Sequence, residues 1–403
     1  MTDAYAVGQV FNNLHNDSRS QCAALVEGVD AKIFAEKIAS VPPASGYVWG
    51  NFIGRLCVGG SDAWRAAVAS HLPREVIRRA VGALSPTECG QISEYIQGFA
   101  GFDFDFALEL LEIAAPILAT AIGHNSIQIF HGLHDLSHWV LGEGLFMDMK
   151  PTKRQRAISK QIIEGLNPAE VVKGIVTCRF GEWENYARLL ALVSRVHPTK
   201  KRAIVQAMDW KTLDAIVSNH LEKPGREFSL LLNSMVTDYK TGEPVASWLL
   251  KHAHEIKEVG SLIVLASPQT ALTVLNNGGK INLAMDHSSW FRDAVAIAWI
   301  GKLDENAAKK IIESHVEHIA KGVAELSLCH GMSELLGLIA EVPELLEKIL
   351  NSVDVSRANE RWPAALVDHR PEERKAARSA ITFVSEHHKG HIGKLAGRLI
   401  RQV

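Results

Sequence analysis

The sequence lacks any apolar run able to cross a bilayer: its most hydrophobic stretches, 113–122 and 262–266, fall well short of the roughly 20 residues a transmembrane helix needs. No membrane contact is expected. The start, Met1-Thr2-Asp3-Ala4-Tyr5-Ala6, has neither the basic segment nor the apolar core of a secretory leader, so a cytoplasmic location is expected. Cysteine is scarce. Cys22, Cys57, Cys89, Cys178 and Cys329 are dispersed, odd in number and form no Cys-x-x-Cys pair, which favours reduced, mostly buried thiols. An excess of one charge is also missing: 43 Lys+Arg against 45 Asp+Glu leaves −2, so no global field draws the chain to nucleic acid. No Gly-x-x-x-x-Gly-Lys-[Ser/Thr] loop occurs, and Asn276-Asn277-Gly278-Gly279-Lys280-Ile281 lacks the first Gly and the hydroxyl residue of a phosphate cradle. Gly-x-Ser-x-Gly, His-Glu-x-x-His and Gly-x-Gly-x-x-Gly are absent as well, so a non-catalytic role without a cofactor is favoured.

What remains is helical spacing. Ile33, Phe34 and Ile38, or Val76, Ile77 and Val81, recur at the three-to-four-residue steps that keep apolar groups on one face, whereas two-residue alternation is scarce. The expected fold class is all-α, without strands. A period is visible too. An apolar residue followed by Asp, Pro or Asn, with an apolar residue nine positions further on, occurs at Val29-Asp30/Ile38, Leu72-Pro73/Val81, Leu166-Asn167/Ile175 and Met208-Asp209/Val217. The second residue of each turn is a type that caps or begins a helix. The separations are 43, 94 and 42 residues, and a degenerate copy at Ala115-Pro116 would divide the long one. The chain is therefore expected to be an α-solenoid of stacked helical hairpins with a period near 42 residues, akin to tetratricopeptide, HEAT or armadillo arrays. Its expected divisions are repeats over 1–222, a less regular continuation over 223–355, and a basic helical cap over 356–403.

Charge is unevenly distributed. Residues 1–150 hold 9 basic and 16 acidic side chains, whereas between Pro371 and Val403 Arg374, Lys375, Arg378, Lys389, Lys394, Arg398 and Arg401 are accompanied only by Glu372, Glu373 and Glu386. Two basic runs, Lys150-Pro151-Thr152-Lys153-Arg154-Gln155-Arg156 and His197-Pro198-Thr199-Lys200-Lys201-Arg202, each precede a capped turn. In a stacked array equal phases align, so Lys150, Lys153, Arg154, Arg156, Lys200, Lys201 and Arg202 are the candidate partner-binding residues, for an acidic protein surface or for phosphate. Base-stacking aromatics do not accompany them, which argues against single-stranded nucleic acid. The candidate metal ligands are His134 and His138 in Phe130-His131-Gly132-Leu133-His134-Asp135-Leu136-Ser137-His138. His131, His134 and His138 would be strung over about 10 Å of helix axis, too far for all three to meet one ion, so histidines along a groove are the plainer reading. In Gly101-Phe102-Asp103-Phe104-Asp105-Phe106, alternation would put three phenylalanines on one side, most simply as plugs between helices. Trp49, Trp64, Trp183 and Trp210 would be interaction sites only if exposed.

Val7-Gly8-Gln9-Val10-Phe11-Asn12-Asn13-Leu14 followed by Ala23-Ala24-Leu25-Val26-Glu27-Gly28-Val29-Asp30, and 186–196 followed by 203–209, resemble the degenerate helical repeats at the C-terminal ends of bacterial STAND-type NTPases and related antiviral defence proteins. The similarity is one of pattern over about residues 5–220. It implies a sensor that binds another protein. NTPase activity is not implied, because the P-loop is missing, and the Trp-x-x-Leu-Gly-x-x-Tyr spacing of a standard tetratricopeptide unit is missing too. The leading expectation is thus a protein-recognition scaffold. The alternatives are a HEAT-like nucleic-acid binder using the basic runs, and a helical metalloenzyme at the histidine cluster.

Overall fold

The computed structural model describes residues 13, 18–45, 60–124, 152–178, 180–217, 221–236, 244–284, 289–326, 331–368 and 370–402. Among them the fold is all-helical, with 23 α-helices and a single two-residue parallel bridge. The chain divides into two compact units, Met1–Leu213 and Asp214–Val403.

In the first unit the helices are α1 (Arg19–Glu27), α2 (Ala31–Ala39), α3 (Asp62–His71), α4 (Arg74–Gly82), α5 (Ile92–Ala100), α6 (Phe104–His124), α7 (Lys153–Glu164), α8 (Pro168–Thr177), α9 (Trp183–Val196) and α10 (Pro198–Gln206). The turns read from sequence are helix starts. Asp30 accepts from the Ile33 amide at 2.8 Å, Asn167 from Ala169 at 3.0 Å, and Asp209 from Thr212 at 3.1 Å, while Pro73 sits directly before α4. Ile38, Val81, Ile175 and Val217, nine residues on in each case, are fully buried. Ala115-Pro116 differs: it lies inside α6 and starts nothing. Leu110, Leu111, Ala114, Leu118, Ala121 and Ile122 keep one buried face across it, and that burial outweighs the roughly 3 kcal/mol cost of an interior proline. The phenylalanine run likewise enters a helix at Phe104, where residues two apart point in different directions. Phe102 and Phe106 are buried and Phe104 is exposed.

The helix spanning the division is α11 (Trp210–Val217). The second unit continues with α12 (Arg226–Met235), α13 (Pro244–Lys251), α14 (Ser261–Ala266), α15 (Pro268–Asn276), α16 (Trp290–Leu303), α17 (Glu305–Ser314), α18 (Val316–Glu325), α19 (Met332–Ile339), α20 (Pro343–Asn351), α21 (Val355–Leu366), α22 (Pro371–His387) and α23 (His391–Ile400). Against the expectation of no strands, β1 (Glu258–Val259) pairs in parallel with β2 (Lys280–Ile281), joined by the crossover of α14 and α15. Gly279 permits this closure: a Cβ there would stand 2.8 Å from the Lys257 carbonyl oxygen and 2.6 Å from the Val274 side chain.

Within each unit, every helix pair that packs closely lies at most three helices apart along the chain, among the described residues. Side-chain donors fasten these neighbours. The last carbonyls of an α-helix have no partner within the helix, and several are closed from the next hairpin. Trp64 Nε1 donates to the Val29 carbonyl at 2.9 Å, just beyond α1. Lys200 Nζ donates to Glu164 and Leu166 at 2.8 and 2.9 Å, closing α7. Trp362 Nε1 donates to Val323 in the last turn of α18 at 2.8 Å. Trp183 does the same more locally, to Ile175 in α8 at 3.1 Å. Trp64, Trp183 and Trp362 are therefore packing and capping groups.

Candidate functional site

Three polar arrangements stand out. The first runs along α6. Asp103, whose Oδ1 caps this helix at the Phe106 amide, pairs with Arg74. Arg78 of α4 grips Glu109 with Nε and Nη2 at 2.9 and 3.0 Å. Arg154 of α7 grips Glu112 with the same two atoms, both at 2.9 Å, and its Nη1 lies 3.6 Å from Asp105. The two forks are planar bidentate pairs, the strongest geometry available to a guanidinium. The Arg154 hydrogen bond, working against partial burial and aided by its charge, holds the Glu112 carboxyl below the usual range. Arg74 and Arg78 also lie 5.0 and 5.8 Å from the Phe106 ring centroid, over its face.

The two basic runs are placed by this frame. Arg154 lies in the first turn of α7 with its guanidinium on α6, while Lys200 of α10 sets its ammonium on the backbone carbonyls of Glu164 and Leu166 at the other end of α7. Ten residues of helix, about 15 Å, separate them, so the runs occupy opposite ends of α7. Lys153, Arg156 and Arg202 are exposed, Lys200 and Arg154 half-buried, and Lys201 buried. Lys150, like His131, His134, His138 and Trp49, lies outside the described residues. No group of three or more His, Cys, Asp or Glu able to hold a metal ion occurs among the described residues.

The second arrangement belongs to the second unit and has no counterpart in the sequence reading. His252, buried at the end of α13, has Nδ1 2.8 Å from Glu255 Oε1 and Nε2 3.1 Å from Asp214 Oδ1. The latter contact is not aligned as a hydrogen bond, and Asp214 Oδ1 accepts from Trp248 Nε1 instead. Lys251 Nζ lies 3.2 Å from Asp214 Oδ2, and the Trp248 ring centroid lies 4.7 Å from that of His252. Burial alone would push the Asp214 carboxyl up; the hydrogen bonds from Trp248 and Lys251 and the His252 and Lys251 charges together bring it below its ordinary value. An imidazole between two carboxylates resembles part of a general-base relay. Among the described residues no Ser, Thr or Cys is hydrogen-bonded to it; the bonds from Trp248 and Lys251 to Asp214 fasten α11 to α13. The signal was open to inspection: Trp248, Lys251 and His252 share one helical face at i, i+3 and i+4.

The third is a shallow cleft of about 410 Å³ lined by Glu317, Lys321, Ala324 and Glu325 of α18, Ser352, and Asp354 and Arg357 at the start of α21. Arg357 lies 3.7 Å from Glu325. Its lining is charged and open to solvent, unlike the mostly apolar pockets that enclose small molecules. The Cys178 thiol is equally quiet. Burial first, then the Glu182 charge, pushes the Cys178 thiol up to about 12, far from a reactive thiolate.

Compared with known proteins, the chain matches no family model and no curated sequence. Among the described residues no helix is long and apolar enough to cross a membrane.

Proposed function

We propose that this chain is a non-catalytic scaffold that recognises another protein, its helices stacked within each unit as the hairpins of an α-solenoid of tetratricopeptide, HEAT or armadillo type. The observation that carries the reading is the closing of one hairpin's carbonyl end by a donor from the next. Trp64 reaches back 35 residues, Lys200 36 and Trp362 39. Arg154 reaches back 42 residues to Glu112, alongside the 43- and 42-residue steps between capped turns. Such fastening repeats a neighbour-to-neighbour interface, the energetic principle of repeat proteins. It leaves long polar helix faces exposed, which suits recognition of an extended surface. The sensor role implied by the likeness to STAND-type repeats, in bacterial defence, is one use of that surface. The exposed Lys153, Arg156 and Arg202 belong to the proposed partner-facing residues, whereas Arg154, Lys200 and Lys201 serve the fold.

The test is retention of a protein partner by the intact chain from its native host, then binding of the purified pair. Saturable binding that survives substitution of His252 by Gln, with neither protein chemically altered, is the expected result. Turnover of a small molecule that depends on His252 and Asp214 would replace this reading with an enzyme.

A further inference from the structure

The final helix offers a second kind of surface. Ile392, Leu395, Ala396 and Leu399 of α23 are buried, and the helix packs on α22 and α21. Its opposite face is basic throughout: His391, Lys394, Arg398 and Arg401 are all exposed, and α23 contains no acidic residue. Arg398 donates to a neutral acceptor, Asn359 Oδ1, at 2.9 Å, and Arg401 to the Gly397 carbonyl at 2.9 Å. No carboxylate among the described residues pairs with Lys394, Arg398 or Arg401.

The molecule also displays the complementary pattern. Asp105, Glu109 and Glu112 stand on α6 at i, i+4 and i+7, and arginines from α4 and α7 bind them. Lys394 and Arg398 of α23, with Arg401 directly after it in helical conformation, stand at the same i, i+4 and i+7 spacing, and no carboxylate among the described residues pairs with them. Both triplets fall within about 60° of the helix circumference and cover about 10 Å of axis. A helix laid along α23 with carboxylates in that register would meet all three cations at once.

We propose that the exposed face of α23 docks an acidic helix of a partner protein, one carrying carboxylates at i, i+4 and i+7. The proposal rests on the reading of the chain as a protein-recognition scaffold and names the partner's chemistry. A membrane is a poor occupant, since the apolar residues that would insert are already buried in the hairpin. A nucleic-acid duplex fits less well, because tight phosphate binding draws on roughly 6–10 contacts and this face aligns three permanent cations and one imidazole. The acidic stripe of a second copy is already taken up by its own Arg78 and Arg154.

The experiment measures fluorescence anisotropy of labelled alanine-based helical peptides with the full chain at low salt. One peptide carries Glu at i, i+4 and i+7; its isomer carries the same three Glu spread around the helix. A labelled DNA duplex is the third probe. The registered peptide should bind best, and Lys394→Glu with Arg401→Glu should weaken it by about tenfold or more. Lys394→Gln with Arg401→Gln should give a smaller loss, and guards against misfolding of the reversed variant. Equal binding of the two peptides, binding untouched by either variant, no binding of either peptide, or preference for the duplex would each overturn the proposal. Should the full chain retain a protein partner equally well with Lys394→Glu and Arg401→Glu, this inference falls while the scaffold reading stands. Preference for the duplex with no protein partner removes both.

Discussion

Replacing Trp362 by Phe removes one indole N–H from the α18–α21 contact and leaves most of the aromatic packing. Trp362 and Val323 are both fully buried, so no water replaces the lost donor at the Val323 carbonyl. An acceptor orphaned in this way costs about 1–3 kcal/mol. The smaller ring adds about 1 kcal/mol for the void it leaves. The sum, about 2–4 kcal/mol, corresponds to a fall in melting temperature of about 5–12 °C for a unit of this length. Thermal unfolding followed by circular dichroism measures it, with hydrogen exchange reporting whether amide protection is lost first around α18 and α21. Val367→Ala is the control: that side chain is 70% exposed, and its truncation should stay within about 0.5 kcal/mol of the parent. A Trp362→Phe variant that melts with the parent would refute the idea that indole donors close the helix ends.

Glycine gives a paired test. A Cβ at Gly322 would overlap the Trp290 ring, so Gly322→Ala should destabilise by about 1–3 kcal/mol, whereas Gly337, with nothing within 4 Å and exposed inside α19, should gain about 0.5–1 kcal/mol as Ala; urea midpoints of opposite shift are the expected readout. Tyr95 is buried with its hydroxyl unbonded, so Tyr95→Phe should leave stability unchanged or raise it by about 1 kcal/mol, read in the same urea series. Arg154 depresses the Glu112 carboxyl, and a depressed acid contributes stability that is present above its ordinary value of 4.5 and lost as pH falls through the lower folded value. Arg154→Gln should therefore lower stability by about 0.5 kcal/mol, after screening, above pH 5 or so, and make little difference below the depressed folded value, so that the acid limb of the stability–pH curve flattens. Cys178, with its thiol near 12, should alkylate roughly 1000-fold more slowly at pH 8 than an ordinary thiol until the protein is unfolded, as peptide mapping by mass spectrometry would show.

Local chemistry made much of the fold legible. Asp30, Pro73, Asn167 and Asp209 mark helix starts because short polar side chains or a fixed proline φ satisfy the first turn, and nothing distant is required. Pro116 misled for the opposite reason: a long buried face decided the matter, and burial is a property of neighbours. The segments 305–326 and 332–350 keep helical spacing throughout, yet are broken at His315 and before Pro343. Helical periodicity survives such breaks, so spacing alone passes over them. The site was harder. Arg154 looked available in a basic run, but its partner Glu112 is 42 residues earlier, and only the packing of α6 on α7 brings them together. Asp214 and His252 were likewise distant in sequence, and neither belonged to a recognisable motif.

The recognition role is tested most directly by titration calorimetry of the intact chain against the protein it retains, with the mass of both measured afterwards. Saturable binding that weakens with added salt and leaves both masses unchanged is the predicted result. Heat that continues with turnover, an altered partner mass, or saturation by duplex nucleic acid in place of any protein would contradict it.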